Sequence, residues 1–144
     1  LKSGSAGERY FNILNKIFTK NYDFKDYDRA TNIYWPGNKI GLGREDVINF
    51  WKSLKDVLSE VKFKVEHVGY LDEPNKNPKA SVRWSLEGIH SSNSEIYGEK
   101  TNSNLYFMGI NHAELNSYSV IREWVLFDEV AIWKQILMNK NKNG

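Results

Sequence analysis

An alternation of apolar and polar residues in the second half of the chain is the feature that most limits its fold. Within 61–70, Val61, Phe63 and Val65 alternate with polar residues, and within 80–90, Val82, Trp84 and Leu86 do the same. Two further predicted strands, 104–115 and 118–128, follow around a short turn. A period of two is typical of strands with one buried face. Because the links between these strands are short, the sequence predicts an antiparallel sheet in this half.

Helical patterns dominate the first half. Ser5 and Glu8 have the spacing of a capping box, and the apolar residues over 10–18 recur at helical intervals. Residues 31–35 are rich in strand-forming side chains and are followed by Pro36-Gly37, which indicates a turn. The first half therefore predicts a helix and then a strand.

Two further amphipathic patterns complete the set of elements. Residues 43–60 predict a helix that begins at Gly43, and 129–138 predict a short final helix. Helices followed by consecutive strands indicate an α+β fold. We expect a curved antiparallel sheet that cups the N-terminal helices around a hydrophobic pocket.

The chain is long enough for one domain with one core, since it has 144 residues. We expect the folded domain over 8–138, a polar linker over 1–7 and a disordered tail over 139–144. The sequence contains no cysteine, which excludes disulfides, thiol nucleophiles and cysteine–zinc sites. No apolar run approaches the roughly 20 residues that a membrane span needs.

The balance of charge and aromatic residues limits the class of partner. The net charge is +2 and the lysines are spread along the chain, so nothing indicates a nucleic-acid partner. We expect a cytoplasmic protein with no membrane partner.

Aromatic residues make up 14% of the chain. They fit either a large aromatic core or a pocket walled by rings, and both interpretations stay open.

Asp128 ends the last predicted strand and directly precedes the last predicted helix. If the strand stays regular, Asp128 shares a face with Trp124 and Leu126. Desolvation there would favour the neutral carboxyl and suit general acid–base catalysis. Alternatively, the carboxylate caps the helix by accepting a hydrogen bond from a free backbone N–H. The local sequence by itself favours the cap.

The histidines are the other candidates for chemistry. His112 lies on the predicted face of Met108, and a histidine in an aromatic pocket can shuttle a proton or hold a substrate oxygen. His90 ends a strand on the face of Trp84. A hydrogen-bonded structural histidine is the alternative for both. Together with His67 they match no compact ligand spacing, so we expect no metal.

Short matches to one known family run along the chain. The first match is the aromatic strand and the Gly-led helix of 33–51. Two more are Arg83-Trp84 with Gly88 and His90, and the loop and strand of 97–115 with Thr101, Gly109 and His112. The last two are the strand 120–128, which ends at Asp128, and the segment WKQI at 133–136. On these residues the chain resembles, over 8–138, the SnoaL-like polyketide cyclase family of the nuclear transport factor 2-like superfamily. It departs from the family pattern at Lys100-Thr101-Asn102, where Pro-Thr-Gly is usual, and at Ala113-Glu114, where an aromatic-Arg pair is usual.

The resemblance implies a cone-shaped α+β barrel around a hydrophobic pocket. In the cyclases an aspartate is the acid/base of an intramolecular aldol closure that uses no metal and no cofactor. Asp128 is the matching position and His112 a matching pocket residue, so the resemblance favours an Asp128 that faces the pocket. The residues expected to bind a small hydrophobic molecule are Trp35, Trp51, Trp84, His90, Met108 and Trp124. The outer face of such a sheet often pairs with a second copy in this superfamily, so we expect a homodimer.

Two functions follow as hypotheses. The first is a cofactor-independent acid/base enzyme, of cyclase, isomerase or aldol type, that acts on a small hydrophobic carbonyl compound. Asp128 would exchange the proton next to the carbonyl, and His112 would orient Asp128 or bind the oxyanion. The second is a non-catalytic module of the same fold that binds a small ligand or serves in assembly. The missing basic residue at Ala113-Glu114 motivates this second hypothesis.

Overall fold

The computed structural model describes residues 5–19 and 21–143. In that part of the chain three helices and six strands follow in this order: α1 (Ala6–Ile17), β1 (Tyr27–Trp35), β2 (Lys39–Leu42), α2 (Arg44–Lys55), β3 (Leu58–Leu71), β4 (Lys79–His90), β5 (Asn104–Leu115), β6 (Val120–Phe127) and α3 (Glu129–Asn143). The strands form one curved, open sheet in the order β2-β1-β6-β5-β4-β3. The predicted α+β class is confirmed.

The sheet is mixed, whereas the sequence predicts a wholly antiparallel one. β1 lies parallel to β6, with Ile33 beside Glu123, and every other pair of neighbours is antiparallel. The reason is the path of the chain. After the β1–β2 hairpin, α2 carries the chain to the far edge of the sheet, and the meander from β3 to β6 then returns to β1.

Helices α1 and α2 cover the concave face of the sheet. Ser5 caps α1, since its hydroxyl oxygen accepts a hydrogen bond from the Glu8 N–H at 3.1 Å, as the capping-box spacing predicts. Ala6 and Gly7 already belong to α1 and are buried. The predicted linker is therefore wrong for these two residues, while residues 1–4 lie outside the described part.

The region between the sheet and these helices is filled by a closed ring of aromatic side chains. In order of contact they are Phe18, Trp51, Trp35, Phe127, Trp84 and Phe63, and each ring centroid lies within 6.1 Å of the next. A pocket for a ligand would leave its walls accessible to water, yet Trp51 is 0% exposed and Trp84 is 1% exposed. These side chains therefore pack as a core and occupy the space where the sequence predicts a pocket.

Helix α3 covers the part of β5 that extends beyond the end of β6. The Gln135 side chain accepts a hydrogen bond from the Tyr106 N–H and donates one to the Tyr106 C=O, both at 2.8 Å. The amide of Gln135 thus satisfies backbone groups that a neighbouring strand would otherwise bind. The helix continues to Asn143, so the tail predicted to be disordered is helical over 139–143. Its last turns carry Lys140 and Lys142, which favour a helix C-terminus.

Within the described residues, no helix is long and apolar enough to cross a membrane.

A glycine in β5 marks which face of the sheet is the inner one. A Cβ at Gly109 would stand 2.2 Å from Trp84 Cζ2, so the indole of Trp84 lies directly over this backbone. Gly109 therefore shares the buried face with its neighbours at alternate positions, Phe107 and Asn111. The residues between them point outward.

We expect Gly109→Ala to lower the free energy of unfolding by about 1–3 kcal/mol, because the added methyl group must displace a packed indole. Gly69→Ala is the matched control, since a Cβ at Gly69 meets no atom within 4 Å. Urea unfolding followed by circular dichroism measures both variants. Equal stability of the two would contradict the placement of Trp84.

Candidate functional site

The residues predicted to form one site lie on opposite faces of the sheet. Asp128, His112, Met108 and Trp124 belong to the outer face, whereas Trp35, Trp51, Trp84 and His90 belong to the core. In β5 and β6 both faces carry apolar residues, so the alternation alone does not decide which set points inward. The acid/base hypothesis expects the set with Asp128 and His112 to face the interior, whereas the structure places that set on the outer face.

Asp128 is exposed and caps the last helix. Its Oδ1 accepts a hydrogen bond from the Ala131 N–H at 3.1 Å, and its C=O accepts one from the Ile132 N–H. The inward residues of β6 are Glu123, Val125 and Phe127. The expectation that Asp128 faces an interior pocket is therefore wrong, and the capping interpretation of the local sequence is confirmed.

His112 and Asp128 are also too far apart to share a site. His112 stands beside Trp124 in the β5–β6 register, and Asp128 follows Trp124 by four residues along the same strand direction. Four residues of strand span about 13 Å. A hydrogen bond that orients one side chain by the other is therefore ruled out in this conformation. The catalytic roles of both residues stay predictions, without the geometry that motivates them.

His90 is buried at the end of β4. Its Nδ1 lies 3.2 Å from Thr101 Oγ1, and its Nε2 is buried without a hydrogen-bond partner among the described residues. Burial lowers the pKa of the His90 imidazole, with a smaller contribution from Lys140. The imidazole is therefore held neutral within the core, as a structural histidine would be.

An acidic residue that is not predicted from the sequence, Glu123, lies at the centre of the fold. Its side chain is 0% exposed. Tyr10 and Tyr27 donate their hydroxyl hydrogens to Glu123 Oε2 at 2.5 and 2.7 Å, and Trp51 Nε1–H donates to Oε1 at 3.1 Å. One carboxylate thus joins α1, β1, α2 and β6.

The network extends to a second buried polar group, Asn111 of β5. Its Nδ2 donates a hydrogen bond to the Tyr10 hydroxyl at 3.0 Å, and its Oδ1 accepts one from Trp84 Nε1–H at 2.9 Å. Each polar tip in this group therefore has a partner, which is what a buried network requires. A signal in the sequence was available, because buried Tyr and Trp side chains usually need a partner for their polar ends.

Burial dominates the electrostatics of this network. Removal from water raises the pKa of the Glu123 carboxyl, and the hydrogen bonds from Tyr10, Tyr27 and Trp51 oppose that rise. Burial, reinforced by Glu123, raises the pKa of Tyr10 and of Tyr27 well above the ordinary value. Because the carboxylate is sealed from solvent, it cannot exchange a proton with a bound substrate in this conformation.

The outer face of the sheet carries parallel rows of side chains that cross from strand to strand. One row is aromatic, with Tyr34 beside Trp124 and Trp124 beside His112. The rings of Tyr34 and Trp124 stack at 5.6 Å between centroids, with 9° between their planes. The next row is apolar and joins Leu126 to Ile110.

A groove of about 790 Å³ lies over the aromatic row, between the apolar row and the β1–β2 turn. The residues that line it are Tyr34, Trp35, Pro36, Gly37, Asn38, Lys39, Ile40, Lys79, Ile110, His112, Ala113, Trp124, Val125 and Leu126. A shallower hollow of about 380 Å³, which includes Met108 and Asp128, adjoins it on the same face. Part of the lining comes from β2, a four-residue strand that follows the predicted turn and is not predicted from the sequence.

A metal centre finds no support in the described part of the chain, where no three His, Asp or Glu side chains converge as ligands.

The capping role of Asp128 predicts a specific ranking of variants. Asp128→Ala should lower the free energy of unfolding by about 1 kcal/mol, whereas Asp128→Asn should change it little, because asparagine caps helices as well as aspartate does. Thermal or urea unfolding gives the values, and Asp72→Ala in an exposed loop is the control. If Asp128→Asn were as destabilising as Asp128→Ala, the helix cap would not be the main contribution of Asp128 to the free energy of unfolding.

Glu123 predicts a difference in pH dependence between the wild type and Glu123→Gln. Because the folded-state pKa is raised, the folded chain holds this proton more tightly than the unfolded chain does. Stability therefore falls as the pH rises from the unfolded pKa through the folded one. As the pH rises above about 4, the ordinary pKa of a glutamate, the free energy of unfolding of the wild type should fall relative to that of the variant. A relative rise would show that the hydrogen bonds outweigh burial.

Solved structures with the same architecture are numerous. A candidate SnoaL-like polyketide cyclase from Jannaschia sp. CCS1 superposes with a TM-score of 0.70 at 14% identity, over 94% of this chain and 96% of that one. Wild-type IdmH, a candidate polyketide cyclase from Streptomyces antibioticus, gives 0.71 at 12% identity, over 90% and 96%. AclR, a candidate hydroxylase from Streptomyces galilaeus, gives 0.67 at 7% identity, over 91% and 86%.

Comparisons of sequence alone find no counterpart. No known protein family matches the chain, and no curated protein is similar enough to count as a relative. The likeness in structure extends over nearly the whole chain, although the identities are far below the level that transfers an activity. The chain therefore has the cone-shaped α+β fold of these SnoaL-like structures.

Proposed function

We propose that the chain is a non-catalytic module of the SnoaL-like fold that assembles as a homodimer through the outer face of its sheet. The observation that carries the proposal is the exposure of large apolar side chains on this face. Met108 is 76% exposed, Leu126 67% and Tyr106 56%. They stand on adjacent strands of a regular sheet, so they form one continuous surface with Ile110.

Such a surface is unusual for a monomer. Contiguous apolar patches beyond a few hundred Å² mark interfaces, and methionine and aromatic side chains are enriched at the centre of interfaces. Sheet faces are also self-complementary in shape, which suits a two-fold symmetric dimer where one patch meets its own copy. The apolar row of Leu126 and Ile110 is therefore the expected centre of the contact.

The patch has a polar border, as a specific interface requires. On one side lies the Arg122–Glu114 ion pair, with its N and O atoms 2.8 Å apart. On the other side the Tyr106 hydroxyl donates to Glu87. Charges at the border set the register of two copies, and an apolar centre supplies most of the free energy of association.

The acid/base hypothesis has less support in the same geometry. Asp128 is engaged in a helix cap, His112 lies about 13 Å away along the strands, and Glu123 is sealed. The structural neighbours named as candidate cyclases share the fold only, and one neighbour is named as a candidate hydroxylase. One fold hosts many functions, so those names do not decide the activity of this chain.

We expect the wild type to have a mass twice the 16.8 kDa of one chain at micromolar concentration, by size exclusion with light scattering. Leu126→Lys or Met108→Glu should convert it to the monomer, because each places two like charges near the symmetry axis. Leu71→Lys is the matched control, since Leu71 is exposed on β3, far from the patch.

A wild type that stays monomeric up to about 100 μM would refute the assembly proposal, since that concentration far exceeds the dissociation constant of a standard-sized interface. Equal behaviour of Leu126→Lys and Leu71→Lys would show association through another surface. Circular dichroism of each variant confirms that the fold is retained.

A further inference from the structure

We propose that the groove over Tyr34 and Trp124 is a binding site for a planar aromatic molecule that carries a negative charge. The site is distinct from the interior of the cone, which is filled by the core. Ile110 and Leu126 belong both to this groove and to the proposed dimer contact, so the assembly state is tested together with binding. The inference rests on the aromatic floor, the preformed wall, the volume and the charge of the groove.

The floor of the groove offers aromatic surface that the protein does not use. Tyr34 and Trp124 stack on each other, and both remain partly exposed. Partly exposed rings contribute to binding by stacking or by edge-to-face contact with a ligand ring. His112 extends the same row by one strand, and Leu126 and Ile110 border it with aliphatic surface. A flat apolar ligand therefore finds contacts along its whole length.

The wall on the other side is a tight turn with a fixed conformation. Gly37 has a φ of 86° and Asn38 a φ of 59°, both left-handed, within the three-residue connection 36–38 between the paired residues Trp35 and Lys39. Pro36 immediately before them restricts the backbone further, and it is buried. The wall is therefore in place before a ligand arrives, which lowers the entropy cost of binding.

The charged side chains that line the groove are both lysines. Lys39 and Lys79 line it, and neither forms an ion pair within residues 5–19 and 21–143. None of the lining residues is acidic. In the neighbouring row, Glu114 is already bound by Arg122. One carboxylate, that of Glu129, lies beside Gly37 at the rim.

The volume of about 790 Å³ falls in the range of small-molecule pockets, about 300–1,000 Å³. Two free ammonium groups at the edge of an aromatic floor are complementary to a carboxylate on a fused ring system. A neutral hydrocarbon would leave the lysines unused, and a compact inorganic anion would leave the rings unused. An aromatic carboxylate uses both.

The test compares 2-naphthoate with its neutral analogue 2-naphthamide, by calorimetry and by ¹H–¹⁵N NMR spectra of the full chain. We expect 2-naphthoate to bind about fivefold more tightly at low ionic strength, with a difference that shrinks in high salt. The shifted signals should include the Gly37 amide and the Trp124 indole N–H. Equal affinity for the two compounds, or shifts confined to other regions, would overturn the proposal.

Charge variants separate the site from general surface attraction. Lys39→Gln with Lys79→Gln should remove the preference for 2-naphthoate, whereas Lys62→Gln with Lys64→Gln on β3 should leave it unchanged. All four lysines are exposed, so both double variants are expected to fold. Trp124→Leu should weaken the binding of both compounds. Retention of the preference in the first double variant would overturn the proposal.

The assembly state is resolved in the same experiment with Met108→Glu, which lies outside the groove lining. Binding of 2-naphthoate to both the wild type and this variant supports the groove as a ligand site, whatever the mass of the wild type. Binding to the monomeric variant alone would show that a second copy covers the groove and would overturn the ligand site. Absence of binding to either protein would overturn it as well.

Discussion

The buried carboxylate of Glu123 is the interaction on which the arrangement of the other elements depends. Three donors from α1, β1 and α2 converge on it, and Asn111 continues the network to β5. Removal of the carboxylate would leave these donors unpaired in a medium without water, at a cost of about 1–3 kcal/mol for each. The network therefore fixes where both N-terminal helices dock on the sheet, and it does so at the centre of the cone.

The same convergence explains why the interior is closed. Tyr10, Tyr27 and Trp51 reach Glu123 only if their rings lie deep between the helices and the sheet, and the ring of aromatic side chains fills the remaining volume. The interior of the cone is therefore a solid core, and the apolar side chains and the groove that remain exposed to solvent lie on the outer face.

The sequence predicted the fold better than the site. The alternation in β3 and β4 has one polar and one apolar face, so Trp84 and Leu86 were correctly expected inside. In β5 and β6 both faces are apolar, and a shift of one residue exchanges the two sets. Asp128 and His112 were placed on the wrong face for this reason. Glu123 was not predicted because an acidic residue in a strand is usually exposed. Its burial depends on hydrogen-bond donors that lie far away in the sequence, Tyr10, Tyr27 and Trp51.

The sequence by itself determined the α+β class, the order of the helices and of every strand except β2, the Ser5 cap and the exclusion of cysteine chemistry, because each depends on neighbouring residues or on composition. The tertiary structure alone decided the parallel pairing of β1 with β6 and the inward face of β5 and β6. It also decided that the groove is on the outer face. These features depend on contacts between residues up to 113 positions apart, such as Tyr10 and Glu123, which no local pattern encodes.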